Sequence, residues 1–193
     1  MWSGGIDSTY VLAKMLKETD NNIFTHHICL HNFERRGDAE VQALKKLMPK
    51  LQAIRPFMYT ENLIDDSRMP TMVYDMARVC FEAGAVSKAF YHYPKQVKLD
   101  RWTIGTHEAE GHNWERWEFI GPATRAAEWT KGRTEWIEFE LPEMVNKKEE
   151  MRYLKELGLL DECWYCRTPI PDVELKTYKT CGKCKTCYEV KEN

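Results

Sequence analysis

Ser3-Gly4-Gly5-Ile6-Asp7-Ser8 stands near the start of a chain of 193 residues and decides how the rest is read. Two adjacent glycines let a backbone turn tightly and come close to a ligand. Val11, Leu12, Met15 and Leu16 then form one apolar stripe at helical spacing, with Lys14, Lys17 and Glu18 outside it. A helix starting there presents unpaired N–H groups and a partial positive charge to an anion. Ser3, Ser8 and Thr9 add hydroxyl donors. The set suits a diphosphate. It lacks the Gly-Lys-Ser/Thr of a Walker loop, so ordinary γ-phosphate hydrolysis is not implied. The plainer alternative is a turn in which Asp7 or Ser8 caps the helix.

Outward from the loop, Asp20-Asn21-Asn22 breaks the first helix. Residues 23–30 read as a strand and residues 38–51 as a second helix carrying Val41, Leu44, Leu47 and Met48. A short apolar stretch at 54–59, interrupted by Pro56, suits another strand. Residues 72–89 give a third helical pattern, and Trp102-Thr103-Ile104-Gly105 the end of a buried strand. This alternation predicts an α/β fold with a parallel sheet and helices on both faces. A last helix over 147–157 stops at Gly158. Only Met1 and Trp2 precede Ser3, where a full central strand is expected, so either the reading starts late or the fold tolerates a stub.

The formal net charge is −2, which gives no global basic field for nucleic acid. No apolar run reaches the length of a membrane span, and the first residues lack the pattern of a signal peptide. The expectation is a soluble, cytoplasmic protein. Of seven cysteines, Cys29 and Cys80 are isolated, while Cys163, Cys166, Cys181, Cys184 and Cys187 crowd the C-terminal end. Cys181, Cys184 and Cys187 form two overlapping C-x2-C hooks, and Cys166 supplies a fourth thiol upstream. Four thiolates satisfy tetrahedral zinc and leave no open position, so the ion would be structural. Lys183 and Lys185 would offset part of the charge. Spacing alone leaves iron–sulfur ligation open.

The opening loop resembles the PP-loop of the N-type ATP pyrophosphatases, S-G-G-x-D-S, which grips the pyrophosphate released when ATP adenylates a substrate. The C-terminal residues sharpen the resemblance. Leu157-Gly158-Leu159-Leu160, then Cys163-Trp164-Tyr165-Cys166, then C-G-K-C-x2-C at Cys181–Cys187 are similar to the end of the 7-cyano-7-deazaguanine synthase (QueC) family. That family reads E-L-G, T-W-S-C and C-G-K-C-x2-C, with its four cysteines on zinc. Lys147 falls on the lysine of the family's K-x-E-I helix, and Gly111, Arg116, Glu118 and Phe119 match parts of its G-Y-P-D-C-R-x-E-F segment.

The resemblance implies a Rossmann-like PP-loop domain, of the adenine nucleotide alpha hydrolase-like type, over residues 1–145. A C-terminal helix and four-cysteine zinc lobe would occupy 146–193. It further implies a carbon–nitrogen ligase that converts a 7-carboxy-7-deazaguanine-like carboxylate to the nitrile with ammonia, ATP and Mg²⁺, as in queuosine biosynthesis. Ser3, Gly4, Gly5, Asp7, Ser8 and Thr9 would hold the nucleotide's phosphates, Asp7 and Lys147 would act in catalysis, and Cys166, Cys181, Cys184 and Cys187 would hold zinc. A homodimer is compatible with this reading.

The chain departs from the family at several places. Cys163 replaces a threonine, giving five thiols for four places. The gap from Cys166 to Cys181 is long and contains Pro169 and Pro171. Leu30-His31-Asn32 replaces Y-G-Q, and His112-Asn113-Trp114-Glu115 replaces Y-P-D-C, in segments expected to touch the base.

Other clusters have plainer explanations. His26, His27 and His31 read as satisfied strand histidines rather than a second metal site. His107, Glu108, Glu110 and His112 follow a strand end, where a ligand-binding acid and a solvated loop are equal alternatives. Trp114, Trp117, Trp129 and Trp136 suit a small core under a long loop better than a stacking platform. Asp65-Asp66 reads as a turn. Two other functions stand beside the synthetase. Lys176, Lys179, Lys183 and Lys185 favour a PP-loop ligase or thiolase acting on tRNA, and the short first strand with the altered base-binding segments motivates a non-catalytic zinc module binding nucleic acid or protein.

Overall fold

Ile6, Val11, Leu12, Ala13 and Leu16 turn inward from α1 (Ile6–Glu18) and begin the main core. The computed structural model describes residues 1–69, 75–91, 99, 101–103, 105, 138–140 and 145–192. Ile104, the His107-to-His112 cluster, Trp114, Trp117, Trp129, Trp136 and the Gly111, Arg116, Glu118, Phe119 matches lie outside these residues. The chain divides into two units, one of residues 2–72 with 145–193, the other of residues 73–144 with Met1.

In the first unit, β1 (Phe24–His31) and β2 (Met58–Asp65) pair in parallel, from Phe24 opposite Met58 to His31 opposite Asp65. The α2 helix (Gly37–Ile54) connects them, as parallel strands require a crossover. Trp2 adds one more bond to this sheet, its N–H donating to the His26 carbonyl at 3.0 Å. The parallel α/β character expected from sequence is present, with a small two-stranded sheet.

The second strand lies later than the apolar pattern suggests. Leu44, Leu47, Leu51 and Ile54 continue one stripe at helical spacing, so α2 runs through the residues expected to open the strand and stops just before Pro56. The strand then begins at Met58 and alternates exposed with half-buried residues. A half-exposed strand carries no continuous apolar run, so the sequence signal at 54–59 belonged to the helix end and the turn.

The C-terminal segment packs into this same unit. The α4 helix (Lys147–Glu156) lies against α1 and buries Met151 and Leu154 there. Asn146 caps it, its side-chain oxygen accepting the Glu149 N–H at 3.0 Å, an arrangement worth about 1 kcal/mol. A short 3₁₀ turn at Leu160–Glu162 leads to the hairpin of β5 (Ile170–Asp172) and β6 (Thr177–Lys179), and α5 (Lys185–Glu192) ends the fold. Trp2, Tyr10, Leu44, Leu47, Leu51, Leu159 and Cys163 complete the core between α1, α2 and α4.

In the second unit, α3 (Asp75–Tyr91) buries Cys80, Ala83 and Val86. The parallel pair β3 (Arg101–Thr103) and β4 (Glu138–Glu140) completes what is described. Buried Trp102 donates its indole N–H to the Ser87 hydroxyl at 2.9 Å, satisfying both polar groups. Among the described residues, no helix is long and apolar enough to cross a membrane.

Candidate functional site

The opening loop is built around Gly4, whose φ of +75° lies in the left-handed region. A Cβ there would also stand 3.3 Å from the Leu44 side chain, so glycine is required on both counts. Gly5 is the N-cap of α1 and brings no side-chain cap, which leaves the first-turn amides without a side-chain partner from that position. Ser3 and Ser8 brace the turn: their hydroxyls lie 3.1 Å apart, and the Ser3 oxygen accepts the Gly5 N–H at 3.3 Å. Thr9 points elsewhere. It is fully buried, and its hydroxyl accepts the Trp2 indole N–H at 3.1 Å.

Ser3, Gly5, Ile6 and Asp7 face a cavity of about 110 Å³. Lys147, Arg36 and Arg167 bring cations to the same cavity, and Trp164 and Tyr165 bring aromatic surface. Three cations and two carboxylates, Asp7 and Glu40, line the cavity. The arginines are held by carboxylates: Arg36 Nε lies 3.0 Å from Glu34 and 3.3 Å from Glu40, and Arg167 lies 3.1 Å from Glu34.

Lys147 forms an ion pair with Asp7 and lies 3.3 Å from Glu150, one helical turn on. The two residues proposed from sequence for catalysis are therefore brought together from segments 140 residues apart. Burial alone would lower the Lys147 pKa, but the charges of Asp7 and Glu150 outweigh it and hold the pKa above the usual lysine value. Glu150 is fully buried, and burial, with Asp7 beside it, pushes its carboxyl up to about 9. Asp7 and Glu150 titrate as a pair beside Lys147, with Glu150 the carboxyl whose pKa is raised.

Arg36, Arg167 and Glu150 were not singled out from sequence. The arginines sit in polar loop segments that read as solvated charge, and Glu150 reads as an ordinary first-turn helix acid. The one available signal was its i, i+3 spacing from Lys147.

The second centre is the cysteine cluster. The sulfurs of Cys166, Cys181, Cys184 and Cys187 all lie within 4.8 Å of one another. Cys181 and Cys187 are 3.9 Å apart, against about 3.8 Å for two thiolates on one tetrahedral zinc. Backbone N–H groups point at the sulfurs: that of Cys181 donates to Cys166 at 3.2 Å, and that of Cys184 to Cys181 at 3.3 Å. The Thr168 hydroxyl donates to Cys181 at 3.1 Å and, with the N–H groups of Lys183 and Cys184, brings its thiol down to about 5. Such a donor set fits a metal ion such as zinc.

Cys163, the fifth thiol, is not in the cluster. It is buried in the core, its thiol 3.5 Å from the Leu159 carbonyl, and burial pushes its pKa up to about 12. The strip Cys163-Trp164-Tyr165-Cys166 joins the two centres. The Trp164 N–H donates to the Gly4 carbonyl at 2.9 Å, and Cys166 enters the cluster two residues later. A Cβ on Gly5 would lie 3.3 Å from the Trp164 carbonyl, so this strip passes directly over the loop.

The strand histidines separate. His26 Nδ1 lies 2.8 Å from the Thr60 hydroxyl, and His27 Nδ1 lies 3.2 Å from the Trp2 carbonyl. Both are interior residues, His26 bonded through both ring nitrogens and His27 leaving Nε2 buried without a hydrogen-bond partner, and burial lowers both pKa values, that of His27 to about 4. His31 lies beside Cys29 and Asp38 instead.

No family model matches the chain, and no curated protein or solved structure matches it.

Proposed function

We propose that the chain is an ATP-dependent synthetase of the PP-loop type, with a Rossmann-like fold around the loop. It would adenylate a 7-carboxy-7-deazaguanine-like carboxylate, release pyrophosphate and use ammonia to reach the nitrile. One observation carries the reading: the glycine turn and start of α1 open into a cavity on which Lys147, Arg36 and Arg167 converge.

The residues divide the work as follows. Ser3, Gly4, Gly5 and Ser8 form a fixed anion cradle whose donors are placed before charge develops, which is where such donors act most strongly. Lys147 offsets charge on the leaving diphosphate. Glu150, buried beneath it, keeps the lysine aimed. Asp7, which lines the cavity and is paired with Lys147, would help to hold Mg²⁺, which would supply charge neutralisation for the phosphates. Zinc on Cys166, Cys181, Cys184 and Cys187 would fix the strip that passes over the loop, a structural task.

The tRNA reading draws on the basic tail, but Lys179 is already paired with Asp172 at 2.6 Å and Lys185 with Glu189 at 3.6 Å. This weakens it relative to the small-molecule reading.

The test is mass spectrometry of zinc-loaded protein with ATP, Mg²⁺, ammonium and 7-carboxy-7-deazaguanine. AMP, pyrophosphate and the nitrile should appear together, and Lys147→Ala should slow turnover by about 10²–10³-fold. ATP binding without turnover would keep the loop's role and exclude this acceptor. No ATP binding would overturn the reading.

A further inference from the structure

We propose a second zinc site, separate from the four-cysteine cluster, held by Cys29, His31 and Asp38 with one position open to solvent. Cys29 and His31 are two residues apart on β1 and so project from the same face of the strand. Asp38 comes from the first turn of α2. Their ligand atoms lie within 4.8 Å of one another.

Two distances distinguish a metal site from a hydrogen-bonded relay. Cys29 Sγ lies 3.6 Å from His31 Nε2, and Asp38 Oδ1 lies 3.3 Å from that same nitrogen. Thiolate, imidazole and carboxylate on one tetrahedral zinc would stand about 3.6 Å and about 3.4 Å apart for these pairs. In a nucleophile–histidine–acid relay, the thiol and the carboxylate would engage opposite ring nitrogens. Here both crowd one nitrogen, as ligands do around a shared ion.

Three further features hold the arrangement. Gly37 has no Cβ, and one built there would stand 2.9 Å from the Leu30 carbonyl, 3.2 Å from Cys29 Sγ and 3.2 Å from the His31 ring. Only glycine lets the start of α2 approach the strand this closely. The Tyr178 hydroxyl donates to the other oxygen of Asp38 at 3.2 Å, orienting the carboxylate as an outer-shell partner does. The His31 carbonyl accepts the Asp66 N–H at 2.8 Å, anchoring the end of β1.

Exposure supplies the open position. The side chain of Asp38 is 59% exposed and that of His31 38%, while Cys29 is buried. Three protein ligands and a solvent-facing fourth place are what separates a reactive zinc site from a closed structural one. The site also stands at the carboxyl end of a parallel strand, where α/β sheets gather ligands.

The experiment is a count of zinc per chain by native mass spectrometry, with a chelator competition for affinity. It uses the full chain at a small excess of zinc. Wild type should hold one ion more than His31→Ala and one more than Asp38→Asn. Both replaced side chains are at the surface, so the fold is kept, and circular dichroism checks it. Tyr178→Phe should keep the count but weaken that ion about tenfold or more. Equal counts in wild type and both variants would overturn the proposal, whatever the cysteine cluster holds and whether or not ATP binds.

Discussion

Glu150 illustrates how one buried group ties stability to pH. Its carboxyl is raised to about 9 by burial and by Asp7, so above about pH 4.5 the folded chain keeps a proton that the unfolded chain has released. The stability this contributes is complete below the unfolded value and is lost as pH climbs through about 9. Urea unfolding of Glu150→Gln should therefore show a flatter decline between pH 5 and 9 than wild type, and parallel declines would contradict the assignment. Gly4 makes a different demand. Gly4→Ala forces a side chain into the left-handed region against Leu44 and should cost about 1–2 kcal/mol in the same assay. Affinity for pyrophosphate should fall with it if the turn is the anion cradle proposed above. Neither group's environment is written at its own position: glycine in a turn was legible, but the burial of Glu150 arises from α4 lying on α1, a contact between distant segments.

Among the elements, the strip from Cys163 to Cys166 connects the cysteine cluster to the glycine loop through the Trp164–Gly4 hydrogen bond. Cys184→Ser should remove the clustered ion and, through this strip, weaken Mg-ATP binding by tenfold or more, although Cys184 does not line the cavity. Calorimetry of zinc-loaded wild type and variant checks this; unchanged ATP affinity in the metal-free variant would separate the two centres. The spacing of Cys166, Cys181, Cys184 and Cys187 was sufficient to propose a metal, because C-x2-C hooks are local geometry. It could not place Cys163, which only packing assigns to the core. The same limit explains β2, where the apolar residues at the end of α2 outweighed the weak alternation of a half-exposed strand. Thr9 belonged by position to the loop, yet helical rotation turns it toward Trp2.

Across the whole of the first unit, one core serves both centres. Leu47, Leu51, Leu154 and Leu159 are almost fully buried among α1, α2 and the C-terminal segment. Leu154→Ala should lower unfolding free energy by about 2–5 kcal/mol, measured by denaturant titration at fixed zinc, since the α1–α4 contact has little room to collapse. That contact is also what carries Lys147 to Asp7, so the same variant should bind nucleotide less tightly; full affinity at reduced stability would show the site to be independent of helix packing. The parallel α/β character was legible in the alternation of patterns, whereas the seating of residues 145–193 with 2–72 was not, because nothing local encodes it. The central claim is that this loop, with Lys147 above it, holds a nucleotide's diphosphate. Its most direct test is calorimetric titration of the zinc-loaded chain with Mg-ATP. One equivalent should bind, displaced competitively by inorganic pyrophosphate and weakened at least tenfold in Lys147→Ala; no binding at millimolar nucleotide, or binding indifferent to both, would rule that role out.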